Sequence, residues 1–457
     1  MQPVGGWRPR ATQAAAVDID GTPRAMLAWT DNSGNRWVAF GCHDGLHVMD
    51  DEDNVFDITP AGFTAGRVSS DANFGWGAGG WGTLWWGEIR PDTGIINPAT
   101  VWHLDTWGEY LVGCSPDDGN LYEWQLDTGV PAAAISNAPT GCRGLVVTEN
   151  RFLMALGSDD NPRQVTWCDR EDNTTWTPEA TNEAGDQILQ SSGVIRRGLR
   201  VRGSTLILTD KDAHLATENA AFVFGFERAG TACGVISRGA AASMKQGALW
   251  MGERGFFGYF GSGVEEIPCE VSDYVFTDIN RGQVSKIVAI PNREFGEVWW
   301  FYPSSNSNEN DRYVAYDLRE QIWTTGNLER TAGVDAGTFL LPLYADADGA
   351  VYEHEVGNRY DGAAPFAETG PISIQTGDQI IQARLLYPDE KTQGQVEATF
   401  KTRFFPNGPE RSYGPYDMST PTGVRFAGRQ IRMRVEGAGA DWRVGNMRLE
   451  AVAGGRR

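Results

Sequence analysis

No stretch of this chain comes near the ~18 consecutive apolar residues of a membrane-crossing helix, so no transmembrane span is expected. The N-terminal "MQPVGGWRPR" lacks the ~7–15-residue apolar region of a secretory signal. The six cysteines (Cys42, Cys114, Cys142, Cys168, Cys233, Cys269) contain no C-x-x-C pair. They read as buried or half-buried thiols of a protein made in a reducing cytosol. Positive charge is scarce: 39 Lys and Arg stand against 60 Asp and Glu, a net charge of −21. Such a surface repels nucleic-acid phosphates and anionic membranes, which argues against a sequence-reading DNA binder. A wall past which DNA slides is still allowed, because a repelling wall does not hold the strand. There is no G-x-S-x-G elbow, no GxxxxGK[ST] loop and no HExxH. The five histidines lie singly. On this basis the chain is expected not to be an enzyme and to hold no cofactor or metal.

What is abundant is glycine and aromatics: 56 Gly, 17 Trp, 20 Phe and 13 Tyr. With few helical stripes, this points to short strands and tight turns. One pattern recurs: an apolar strand, a turn of Gly, Asp or Asn, and a second strand with aromatics. It is seen in "NRWVAFGCHDGLHVMD" from Asn35, "GEYLVGCSPDDGNLYEWQL" from Gly108, "NRFLMALGSDDNPRQVTWCD" from Asn150 and "STLILTDKDAHLAT" from Ser204. It continues in "ALWMGERGFFGYFGSGVEEI" from Ala248, "GEVWWFYPSSNSNENDRYVAYDL" from Gly296 and "PLYADADGAVYEHEV" from Pro342. Each is a β-hairpin by alternation and turn chemistry. Starts recur roughly every 40–50 residues, the period of four-stranded propeller blades. The expected fold is all-β. Residues 1–370 are read as a β-propeller of six or seven blades with an insertion at 62–103, and residues 371–457 as a small antiparallel β-sandwich. A pair of β-sandwiches is the alternative for the repeat region.

In the C-terminal segment "IRMRVE" puts Ile431, Met433 and Val435 on one strand face and Arg432, Arg434 and Glu436 on the other. Residues 371–457 carry 13 Lys and Arg against 9 Asp and Glu, opposite in sign to the whole chain. The two regions are therefore expected to face different partners. The insertion contains "FGWGAGGWGTLWWG". Phe74, Trp76, Trp81, Trp85 and Trp86 would be an aggregation hazard in water, so they are expected to dock on a neighbouring subunit or partner. A loop folded onto its own domain is the alternative.

Four local constellations could carry chemistry. Cys42, His43 and His47 resemble a zinc half-site, but Asp44-Gly45 between them reads as a hairpin turn and no second pair is near. Asp346–Gly349 ("DADG") and Ser158–Asn161 ("SDDN") resemble fragments of calcium loops, yet hairpin-tip turn chemistry already explains them. "DREDNTTW", Asp169 to Trp176, resembles the structural turn motif of sialidase propellers. Glu265 and Glu266 could be an acid/base pair, but neighbours on a strand point to opposite faces and a solvated strand edge is expected.

"WMGERGFFGYFGSGVEEIPCEVSDYVFTDIN" (Trp250–Asn280), followed by "EVWWFYPSSNSNENDRYVAYDLREQIW" (Glu297–Trp323), resembles the tail hub, or nozzle, proteins of short-tailed bacteriophages. These are often described as packaged-DNA stabilisation proteins. "YEHEVG" (Tyr352–Gly357), the Gly/Trp loop and "ADWRVGNMRLE" (Ala440–Glu450) fit the same picture. The resemblance implies a virion protein made in the host cytoplasm. It implies a ring, expected to be a hexamer, below the portal and a tail adaptor or head-completion protein. The ring would contact tail fibre or spike proteins, retain the packaged genome and conduct duplex DNA during ejection. A propeller glycan hydrolase or glycan-binding tail protein is the alternative, since aromatic-rich strands can stack on sugars.

Overall fold

The structure, a computed structural model, describes residues 6–11, 16–72, 96–357, 365–373, 379–389, 391–437 and 442–454. Half or more of the insertion, including Phe74, Trp76, Trp81, Trp85 and Trp86, lies outside the described residues.

Seven four-stranded antiparallel sheets follow one another along the chain. Their innermost strands are Pro23–Thr30, His103–Trp107, Gly144–Val147, Ile195–Val201, Ala241–Met244, Val288–Asn292 and Ala332–Val334. Each innermost strand touches the next, and the last touches the first, so the ring closes. The fold is a seven-bladed β-propeller. Six blades are built from four successive strands, and the seventh is completed by Trp7–Pro9. The repeated hairpins of the sequence are the second and third strands of each blade, as with Arg36–Cys42 and Leu46–Met49 in blade one.

The middle strands are apolar on both faces because each blade is sandwiched between two others. In Arg36–Cys42, Trp37 and Ala39 join the core shared with blade two. Val38, Phe40 and Cys42 join the core shared with blade seven. The same alternation sends Trp300 and Tyr302 of blade six toward blade five. Trp299 stacks instead with Tyr313, while Phe301 meets Tyr313 at a tilt and Tyr344 of blade seven edge-on. Buried indoles bridge blades by hydrogen bonds: Trp102 donates to the Cys42 carbonyl and Trp300 to that of Ala240.

The turns use carboxylate caps. Asp31 accepts from the backbone N–H of Ser33 and Asn35, Asp50 from Glu52 and Asn54, and Asp346 from Asp348 and Ala350. Such Asx turns satisfy backbone donors without a further strand. Blades five and six are joined by a short helix, Ser272–Asp278, and a 3-10 helix, Arg281–Lys286, started by Asn280 accepting from the Gly282 N–H.

The chain divides into two compact units, Pro9–Tyr352 and Met1–Arg8 with Glu353–Arg457. In the second unit, Val396–Arg403 and Gln430–Gly437 belong to a five-stranded sheet. Ile381–Tyr387, Thr422–Gly428 and Arg448–Ala453 form a three-stranded one. Their shared core contains Phe400, Phe426, Ile431, Val435 and Trp442, with Met433 packed against it. On the other face Glu368 is surrounded by Lys401 at 2.9 Å and Arg432 at 2.8 Å. The alternation read from "IRMRVE" is thus a sandwich strand, apolar inside and charged outside.

Candidate functional site

The innermost strands surround an axial cavity of about 520 Å³. Its walls include Arg24, His103, Arg197, Ala241, Ala289 and Gly333. At the start of every innermost strand stands a basic residue or histidine: Arg24, His103, Arg143, Arg196, Arg238, Lys286 and Arg330. Contacts across the axis show that these positions gather at one end. Arg24 of blade one and Lys286 of blade six share Glu309, and Arg238 of blade five donates to the carbonyl of Arg143 ahead of blade three.

The collar has two electrostatic halves. In the arc from blade six to blade one, Glu309 takes two bonds from Arg24, at 2.9 and 3.1 Å, and one from Lys286 at 2.5 Å. Lys286 also donates to Ser69 Oγ and to the Asn308 carbonyl. Burial pushes the Glu309 carboxyl up, but the Arg24 and Lys286 bonds outweigh it and hold it below its ordinary value. Burial, together with Arg24, lowers the Lys286 ammonium despite Glu309.

In the arc from blade three to blade five, Arg143, Arg196 and Arg238 have no carboxylate at ion-pairing distance among the described residues. Burial, then Arg196, pushes the Arg238 guanidinium down to about 9. Burial, then Arg197 and Arg238, drives His103 well below its ordinary value, so the ring is neutral. The ring packs directly on Gly144, where a Cβ would lie 2.6 Å from it. Further along the strands the cations are paired: Arg200 with Asp105 at 2.7 Å and Arg293 with Asp335 at 3.4 Å.

His103 gives a pH signature. The folded state resists protonating it, so the unfolded chain binds the proton first and stability falls as pH drops below the ordinary 6.5. His103→Gln is expected to remove this part of the pH dependence. Urea unfolding of both proteins above and below that pH measures it; identical pH profiles would contradict it.

The flanks of the insertion reach this same collar. Ser70 Oγ and Ser285 Oγ lie 2.7 Å apart, Ser70 N–H donates to Gln283, and Ala99 N–H donates to Ser285. Arg24 donates to the Val68 carbonyl. The described part of the insertion is therefore anchored on its own propeller.

A second concavity of about 730 Å³ lies on the outer strands of blades three and four. Trp167, Phe222, Phe224, Phe226, His214 and Arg228 line it, and Phe222 is 76% exposed.

The residues singled out from sequence are not brought together. Cys42 is buried and burial raises its thiol, while His43 faces Asp44 at 3.3 Å in the expected turn. Asp346 is occupied by its own turn and by Tyr352. Asp159 and Asp160 have φ of 52° and 58°, the left-handed geometry of a turn. In "DREDNTTW", Asp172 accepts from Thr174 and Thr175, and Trp176 is buried beneath the loop. Glu265 and Glu266 are exposed on the outermost strand of blade five, opposite Gly258 and Phe257. The collar is what sequence reading missed. Its signal is a basic residue at or just before the start of six of the seven inner strands, "PRAM", "CRGL", "IRRGL", "SRGAA", "SKIVAI" and "ERTAGV", with His103 in the remaining one.

No family model matches the chain and no curated protein matches it. Solved structures similar to it include virginiamycin B lyase from Staphylococcus aureus, at 6% identity and TM-score 0.44, covering 76% of this chain and 98% of that one. BamB from Moraxella catarrhalis follows at 8% identity and TM-score 0.41, covering 79% and 92%. The Pan2 WD40 domain from Neurospora crassa has 9% identity and TM-score 0.41, covering 77% and 94%. The expectation that this chain is not an enzyme is corrected here: a lyase stands among the structures similar to it, so a non-catalytic role does not follow from its architecture. Likeness at this level bears on fold and assigns no reaction.

Proposed function

We propose that this propeller protein is a structural subunit of a phage tail, a hub or nozzle of the short-tailed type. The observation behind this reading is that the two resembling stretches form one structural unit. Trp250, Phe256, Val275 and Ile279 from the first share a core with Val298, Trp300, Tyr302 and Trp323 from the second. Phe256 lies 5.0 Å from Trp300 and 4.4 Å from Trp323, ring to ring. The resemblance follows a packed pair of blades with its helical connection, rather than scattered turns.

In this reading the subunits form a ring, a hexamer, beneath the portal and adaptor. It contacts fibre or spike proteins, retains packaged DNA and conducts it on ejection. The axial cavity, at about 520 Å³, is too small for a duplex, so the conduit is the lumen between subunits. The net charge of −21 suits a wall that DNA passes without sticking. Phe74, Trp76, Trp81, Trp85 and Trp86 are the proposed contacts to a neighbour. Electron microscopy of virions and of the purified protein is expected to show rings with an axial hole wide enough for duplex DNA. A chain that stays monomeric and is absent from particles would overturn the proposal. So would specific binding of a bacterial surface glycan by the monomer through the Phe222 groove, which would favour a glycan-binding tail protein instead.

A further inference from the structure

We propose that the arc of Arg143, Arg196 and Arg238, at the starts of the innermost strands of blades three to five, binds a phosphate-class oxyanion. This inference is independent of the tail-hub reading, since it rests on the propeller's interior alone. The innermost strands of blades three, four and five bring these three guanidiniums to one end of the axis, with His103 and Arg197 beside them. Arg238 is only 7% exposed, and its Nη1 donates to the Arg143 carbonyl. The Nε atoms of Arg196 and Arg238 are buried with no partner among the described residues.

The carboxylates facing this arc are Asp210 and Glu253 toward Arg196 and Asp117 toward Arg238. Asp117 is engaged by Arg67 at 2.8 Å and by Thr100. Among the described residues, none of the three lies at ion-pairing distance from the arc.

Bringing like charges together partly out of water, with no carboxylate in direct contact, is unfavourable unless something further neutralises them. The opposite arc shows how the fold meets that requirement when it uses its own residues: Glu309 bridges Arg24 and Lys286. The chain has 60 acidic residues, yet Asp210, Glu253 and Asp117 stop short of the direct contact with the arc that Glu309 makes with Arg24 and Lys286. The guanidinium fork matches an oxyanion's geometry, and its planar donors lose little entropy on binding. A single carboxylate neutralises one charge; a phosphate dianion offsets more of the three and offers several acceptor oxygens. Phosphate-class chemistry is therefore the better fit.

The test uses the full chain. Inorganic phosphate, and separately ribose 5-phosphate as a phosphomonoester, are compared with chloride at equal ionic strength. Either phosphate is expected to raise the unfolding midpoint by about 2 °C or more above chloride. Equilibrium dialysis is expected to retain about one phosphate per chain. Arg196→Gln and Arg238→Gln should each abolish the shift, whereas Arg319→Gln on an exposed turn of blade six should keep it. The stronger of the two ligands identifies free ion or ester as the source. Phosphate indistinguishable from chloride in both measurements would overturn the proposal, as would a full shift in Arg196→Gln. If the variants do not fold, dialysis of the unaltered chain decides: retention competed equally by chloride refutes the site.

Discussion

Trp300→Ala is expected to destabilise the propeller unit by about 3–5 kcal/mol, the cost of removing a fully buried large aromatic. Trp300 is completely buried, donates its indole N–H to the Ala240 carbonyl at 3.0 Å, stacks with Trp323 and meets Phe256 at a tilt. It ties blade six to blade five, and a cavity there is walled by two sheets whose positions are fixed by the closed ring. Partial collapse is therefore hindered, which places the cost in the upper part of the usual range. Trp300→Phe, which keeps a ring but loses the hydrogen bond, should cost less. The urea midpoint followed by tryptophan fluorescence and circular dichroism measures both. An unchanged midpoint in Trp300→Ala would mean that this core does not hold the two blades together.

Glu309→Gln is the second large effect. Arg24 is 3% exposed and Lys286 2% exposed, and Glu309 is their shared counter-charge. Removing one partner of a buried ion pair leaves the other charge uncompensated, typically at ~3–5 kcal/mol. A third of the Glu309 side chain is exposed, and solvent screening reduces the expected loss to about 2–3 kcal/mol. The sign with pH follows from the direction of its shift. Its folded pKa lies below the ordinary 4.5, so its contribution is full above that value and is lost as pH falls through the folded pKa. The variant and the unaltered protein should thus converge in strongly acidic solution. Adding Lys286→Met to Glu309→Gln should recover part of the loss, because the stranded ammonium is gone. A loss that persists undiminished at low pH, or no recovery in the double variant, would contradict this account.

The blades were legible because their signal is local. In "NRWVAFGCHDGLHVMD" a strand, a turn and a strand fall within sixteen residues, and the hydrophobic period is set by the two neighbouring blades. The assignment of Glu265 and Glu266 to a strand edge rested on the same period, and both are exposed there. Blade number was narrowed to six or seven by spacing, and ring closure made it seven. The N-terminal strand of the seventh blade was not readable, since Trp7–Pro9 pairs with Val351–His354, more than three hundred residues away.

The collar was illegible for the opposite reason. Arg24, Arg143, Arg238 and Lys286 each stand alone in sequence and Arg196 has only Arg197 beside it, and one or two basic residues at a strand start read as ordinary solubility. Glu309 lies in the loop "SSNSNEN", where nothing marks it as the partner of a residue 285 positions earlier.

By itself the sequence determined the all-β class, the hairpin repeat and the apolar and charged faces of the C-terminal sandwich, because alternation and turn chemistry act over a few residues. Tertiary structure alone decided the seven-fold closure, the axial cavity and which cations in its collar are neutralised. Those depend on strands far apart in the chain meeting at one axis, where burial turns isolated charges into a coupled group.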